Sequence, residues 1–221
     1  IPAVLTGIPL ALAVLIRPTN AVVLIYFLLY GITGSRDIIK RLNFFIRNGY
    51  LLVLMALTTL VIFIPQFVYW HYVTGNWIVY SYQDEGFTFW KNPQVITVLF
   101  GKRGGWFVYT PLMVIASLSL FLMLKKRLFS APAILITMLV IIYLDASWWA
   151  PTFSASAGYR ALIEYLPLMA VPLAYGFQKI LQQKNRKLKN IVWAIISIIV
   201  VYNIQFAFKY DATVWWDWEW S

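Results

Sequence analysis

Apolar residues fill this chain in long runs, and polar residues come in short clusters between them. From Gly49 onward five runs follow one another: Gly49–Trp70, Trp106–Leu124, Leu128–Leu144, Ile163–Leu181 and Ile191–Phe208. They are 17–22 residues long, so at about 1.5 Å of rise per residue each reaches roughly the thickness of a hydrocarbon layer as a helix. The pattern predicts an all-α integral membrane fold, a polytopic helical bundle. Pro65-Gln66 near the end of the first run is expected to bend it. Before Gly49, the shorter runs Ile1–Ile16 and Ala21–Ile32 are split by Arg17-Pro18-Thr19-Asn20, and Pro18 forbids an uninterrupted hydrogen-bond ladder there. The two form either one kinked helix with Arg17 at mid-depth or a hairpin of short helices whose turn presents Arg17 outward. The hairpin is preferred, because a lone cation at the bilayer centre costs about 2.5–3.5 kcal/mol. The expected total is about seven membrane helices, in a single transmembrane domain over residues 1–221.

Charge orients these runs. The stretches Arg36–Arg47, Lys125–Arg127 and Lys179–Lys189 hold 12 of the 18 Lys and Arg, and short loops rich in Lys and Arg stay on the cytoplasmic side. The segments 71–105 and 145–162 then face outward, and seven of the eight acidic residues fall on that side. A composition 62% hydrophobic and 12% charged suits a lipid-facing surface. The net charge of +10 is explained by orientation in the bilayer, so it points to membrane lipid and not to nucleic acid. With no Cys there are no disulfides and no thiolate metal ligands. Opening at Ile1 inside an apolar run, without Met or a charged leader, the chain reads as part of a longer protein.

Chemistry is expected on the outer side. His71–Gly105 is aromatic as well as polar and should lie along the membrane surface. Asn92-Pro93 reads as a cap followed by a first-turn proline, and Gly101 as a stop, so Pro93–Phe100 is expected to be a short interfacial helix. Lys102 and Arg103 emerge beside Gly104-Gly105; as a cation pair next to mobile glycines they would grip a lipid phosphate, or they simply sit at the headgroups. In 145–162, Trp148 and Trp149 are either part of an interfacial aromatic belt or a platform for sugar stacking. Arg160 and Glu164, four apart at a helix start, are spaced for an ion pair. His71, the single histidine, reads as a weak metal ligand or as an interfacial ring bonded to backbone. No cofactor is implied, and nothing in the pattern supports a divalent metal. The tail Tyr210–Trp220 is an interfacial anchor or the start of a further outer region.

Four stretches taken together carry a family resemblance. They are Arg17-Pro18-Thr19-Asn20 between apolar runs, Tyr80-Ser81-Tyr82-Gln83-Asp84-Glu85-Gly86-Phe87, the stretch from Val98 through Gly101-Lys102-Arg103-Gly104-Gly105 to Pro111, and Trp148-Trp149 leading to Gly158-Tyr159-Arg160. In order and spacing the chain resembles the C-terminal half of bacterial membrane glycosyltransferases of the GT-C superfamily, relatives of the protein O-mannosyltransferases. It departs from them in carrying Pro151-Thr152 and Ala157-Gly158 where similar proteins have Gly-Gly and Phe-Gly pairs. The resemblance implies an inner-membrane enzyme that transfers a sugar, with inversion, from a polyprenyl-phosphate donor to an acceptor on the outer face. It also implies a catalytic aspartate in a first outer loop that would precede Ile1. On matching positions, Arg160, Arg103 and Lys102 would face the donor phosphate, Arg17 would line the same cavity, and Asp84 and Glu85 would lie near the acceptor entrance. His71, Trp148, Trp149 and Glu164 complete the candidate cavity. The alternative is a non-catalytic scaffold or lipid-binding subunit of a larger complex. A transporter fits less well, because the runs show no internal repeat.

Overall fold

The computed structural model describes residues 2–80, 82, 84–128, 130–152 and 158–209. Among these residues the structure is all-helical, with ten α-helices, two 3₁₀ turns and no strand. The chain divides into two compact units, Ile1–Gly86 and Phe87–Ser221. The tail Tyr210–Trp220, Ser81 and Gln83 of the second motif, and residues 153–157 lie outside the described residues.

In the first unit, α1 (Pro2–Ile16) is followed by a 3₁₀ turn (Pro18–Val22) and α2 (Val23–Leu29). The break predicted at Pro18 is present: Arg17 is extended, with φ −154° and ψ 121°, because the proline ring excludes helical geometry from the residue before it. Asn20 seals the break, its buried Nδ2 donating to Ala13 O in the last turn of α1 at 3.1 Å. The amphipathic α3 (Ser35–Arg47) leads through Asn48 into α4 (Gly49–Thr74). α1 packs along α4, and Gly7 permits the close approach: a Cβ there would stand 3.1 Å from Thr58 Cβ.

α4 runs 26 residues where 22 were expected. It ends not at Trp70 but at Gly75, whose left-handed φ of 77° supplies the terminating conformation and whose amide bonds His71 O at 2.9 Å. Pro65 is carried inside the helix. Thr58 and Thr59 turn their hydroxyls back onto Leu54 O and Met55 O at 2.8 and 3.0 Å, so neither presents an unpaired hydroxyl on an apolar surface.

At the start of α3, Asp37 accepts hydrogen bonds from the Thr33 hydroxyl at 2.8 Å and the Thr33 amide at 3.1 Å. These bonds hold the Asp37 carboxyl below its ordinary value. A carboxylate with a depressed folded pKa contributes stability above its unfolded value, near pH 4, and loses it as pH falls through the folded value. Protection of the Thr33 amide from exchange is therefore expected at pH 6 and lost at about pH 2, below the ordinary carboxylate range. Asp37→Asn should abolish that pH dependence, and a Thr33 amide equally protected at both pH values in the unaltered protein would contradict the assignment.

The second unit holds α5 (Val95–Phe100), α6 (Trp106–Tyr109), α7 (Leu112–Lys125), α8 (Ala131–Ser147), a 3₁₀ turn (Arg160–Tyr165), α9 (Leu166–Leu181) and α10 (Arg186–Lys209). The expected run Trp106–Leu124 is two helices, broken at Thr110-Pro111. Pro111 has no N–H to give, and the Val108 and Tyr109 carbonyls freed by the break are taken from α10, by the Tyr202 hydroxyl at 3.3 Å and Asn203 Nδ2 at 2.8 Å. α5 forms as expected up to Gly101 but begins at Val95, so the Asn92-Pro93 pair does not cap it. The Gln94 amide is instead tied to Ala146 O at 2.8 Å, and that anchor sets where the helix starts. α7 and α9 pack closely at Gly176, where a Cβ would stand 3.2 Å from Ser119 Cβ. Ile134, Ile141, Leu162, Tyr165 and Met169 form the buried centre of this unit.

Two helices, α4 and α10, are long and apolar enough to cross a membrane, at 26 and 24 residues. Their apolar side chains are mostly exposed, unlike those of a soluble core helix. The other apolar helices are shorter: 15 residues in α1, 14 in α7 and 17 in α8.

Candidate functional site

The structure gathers the candidate residues of the second unit at the end where α8 finishes. The Phe89 amide bonds Ser147 O at 3.0 Å and the Tyr143 hydroxyl bonds Trp90 O at 2.7 Å, which fixes the segment before α5 onto the last turns of α8. Around these bonds Phe87, Trp90, Tyr143 and Trp148 form an edge-to-face aromatic cluster with ring separations of 5.2–5.5 Å. Trp148 is half-buried in it, and Trp149 is exposed. Asp145, Ser147 and Tyr159 are buried at the same end.

The loop after α5 carries two of the cations. The sequence presents Gly104-Gly105 as mobile glycines beside Lys102 and Arg103, but both are buried and closely packed. Gly104 has φ of 84°, and a Cβ on it would stand 3.0 Å from Thr152 O and 3.6 Å from Gly158 O. Gly105 folds back onto Gly101, its amide bonding Gly101 O at 2.9 Å. The Tyr109 hydroxyl donates to Lys102 O, and a Cβ on Gly158 would lie 3.1 Å from Tyr109 Cβ. These glycines serve close backbone approach. They clamp the 101–105 loop against the segment that leads to Arg160, leaving Lys102, Arg103 and Arg160 exposed around one backbone junction.

Arg160 and Glu164 do not share a helical face in the way their spacing suggested. Residues 160–165 form a 3₁₀ turn, not α-helix. At three residues per turn, positions four apart are rotated by about 120°, so the α-helical pairing argument fails there. Both side chains are exposed.

The remaining candidates belong to the first unit. Arg17 is half-buried at the extended residue between α1 and the 3₁₀ turn. His71 sits in the last turn of α4 rather than in a surface segment, its Nδ1 3.1 Å from Gly75 O and its ring stacked on Trp77 at 4.2 Å. Asp84 and Glu85 are exposed in a turn held by the Tyr80 hydroxyl on Glu85 O at 2.7 Å. Among the described residues no three His, Asp or Glu converge as a metal site. Sequence reasoning assigned no role to Asp145 or to the Phe87–Trp90–Tyr143 cluster. Asp145 had one visible signal, a lone carboxylate closing an otherwise apolar run beside Trp-Trp.

Comparisons with family models, curated proteins and solved structures gave no match. The functional reading rests on this geometry and on the motifs.

Proposed function

We propose that the chain is the membrane-embedded part of a glycosyltransferase that moves a sugar from a polyprenyl-phosphate donor to an acceptor on the outer face of a bacterial cytoplasmic membrane. The observation that supports the reading is the glycine clamp, in which the loop bearing exposed Lys102 and Arg103 packs against Thr152 and Gly158, the latter lying two residues before exposed Arg160. Fixed cations suit a phosphate, and a flat ring suits a sugar. The exposed apolar surfaces of α4 and α10 suit lipid.

In this mechanism the acceptor oxygen attacks the anomeric carbon and passes its proton to a carboxylate. The bond from that carbon to the donor phosphate oxygen breaks, and the phosphate leaves carrying negative charge. Lys102, Arg103 and Arg160 stabilise that charge as it develops. The carboxylate base is assigned to a segment upstream of Ile1. In the membrane the five apolar runs from Gly49 onward cross, α6 and α7 sharing one interrupted crossing, and α1 and α2 enter as a hairpin.

Two measurements test this. In single-cysteine variants, Lys91→Cys and Asn185→Cys should label from opposite sides of the membrane; labelling from one side would remove the topology. Full-length protein in liposomes supplied with a polyprenyl-phosphate sugar should release polyprenyl phosphate in step with acceptor glycosylation. A correctly oriented, folded protein that releases none with any of a panel of donor sugars would remove the enzymatic reading.

A further inference from the structure

We propose that α3 is an in-plane helix that binds the anionic phospholipid headgroups of the leaflet beside it. The inference rests on the membrane reading and concerns a part of the chain outside the transfer site. On a helical projection at 100° per residue, Ile38, Ile39, Leu42, Phe45 and Ile46 fall within an arc of about 120°, while Arg36, Lys40 and Arg47 fall within about 40° on the polar flank. Such a helix has a large one-sided apolar face and low net hydrophobicity, the pattern of segments that lie in a membrane surface. No α3 residue is buried, and Ile38, Ile39, Leu42 and Ile46 are all exposed. Within the first unit Phe45, at the edge of this face, packs on Phe27 at 6.0 Å between ring centres, while Ile38, Ile39, Leu42 and Ile46 stay uncovered.

The other cation of α3 is committed elsewhere. Arg41 donates to Phe27 O at 2.6 Å and Leu28 O at 3.2 Å, capping the C-terminal end of α2, and lies over the rings of Phe27, Phe44 and Phe45 at 4.7–5.6 Å. It pins α3 to the end of α2. The C-terminal end of α3 is joined by the single residue Asn48 to α4, the longest apolar helix among the described residues. Held between the ends of two apolar helices, α3 stands where a bilayer's headgroup layer lies. Three outward cations above an apolar face complement a surface that is negative at that depth and hydrocarbon beneath it. Lys40 shares its charge with Asp37 at 3.4 Å, an exposed pair that leaves Arg36 and Arg47 the stronger contacts.

The test uses full-length protein in bilayers of phosphatidylcholine containing spin-labelled phosphatidylglycerol or spin-labelled phosphatidylcholine, with incorporation first verified by flotation. In the unaltered protein the motionally restricted lipid should favour phosphatidylglycerol by about fivefold, the effect of one surface cation. Arg36→Gln/Lys40→Gln/Arg47→Gln should lower that preference severalfold, and 0.5 M salt should bring it close to one. A nitroxide at Ile39→Cys should be reached by oxygen and shielded from an aqueous nickel reagent, and one at Lys40→Cys, about 100° further round the helix on the polar flank, should show the reverse. An unchanged preference in the triple variant, or a water-accessible label at position 39, overturns the proposal. A label at 39 shielded from both reagents also overturns it, since another protein surface then covers the face. Failure to float with lipid would instead remove the membrane reading itself.

Discussion

Gly105→Ala is expected to destabilise the protein by about 3 kcal/mol, at the upper end for overpacking, and to lower its unfolding temperature by about 10 °C. A Cβ at this position would press into Gly101 O and stand 2.5 Å from the Gly101 nitrogen and 2.8 Å from the Phe100 carbonyl carbon. All of these are backbone atoms, so no rotamer change relieves the clash. The turn that ends α5 and starts α6 must open, and the 101–105 loop must leave its junction with Thr152 and Gly158. Gly49→Ala provides the contrast, because nothing lies within 4 Å of a Cβ there and the position begins a helix. That change should be neutral or stabilising by about 0.5–1 kcal/mol. Thermal unfolding of both variants in the same bilayer reads the difference, and equal unfolding temperatures would mean that the glycine clamp is not a structural constraint.

Arg160→Lys should reduce sugar transfer by about a hundredfold, on the scale of losing one transition-state donor, with thermal unfolding unchanged. Lysine keeps the charge but not the two parallel N–H groups that fit a phosphate. An exposed residue on a 3₁₀ turn, not aligned with Glu164 as an α-helical pair, contributes little to stability, so the two readouts should separate. Full transfer activity in this variant would take Arg160 out of the donor site. A fall in unfolding temperature matching the fall in activity would give it a structural role instead.

Helix existence was readable from the apolar runs, while helix ends and breaks depended on distant partners. Three prolines illustrate the point. Pro65 and Pro172 both lie inside runs, and α4 and α9 continue through them, whereas Thr110-Pro111 divides its run. The break at Pro111 is stabilised by Tyr202 and Asn203, more than ninety residues away, which accept the burden of the freed carbonyls. Nothing local to Pro111 announces them. Glycine was ambiguous for a similar reason. A Gly-Gly pair next to two cations reads as mobility until Thr152 and Gly158 are seen against it, and only tertiary contact distinguishes freedom from close packing. The end of α4 was missed by four residues, because His71-Tyr72 looked like the start of a surface segment although Gly75 supplies the left-handed terminator. For the candidate site, the motif stretches identified the 101–105 loop and the approach to Arg160. The aromatic cluster around Tyr143 needed the hydrogen bond to Trp90 O, which joins residues 53 apart.

The central claim is that the cations around the 101–105 loop hold a lipid-linked phosphate, and binding tests it without requiring the catalytic base. Full-length protein in nanodiscs should bind polyprenyl phosphate, and Lys102→Gln/Arg103→Gln/Arg160→Gln should weaken that binding by about a thousandfold or more, since charge-assisted hydrogen bonds contribute about 1.5–3 kcal/mol each. Binding of the uncharged polyprenol and the unfolding temperature should stay the same in both proteins. Equal affinity of the triple variant and the unaltered protein for polyprenyl phosphate would contradict the account.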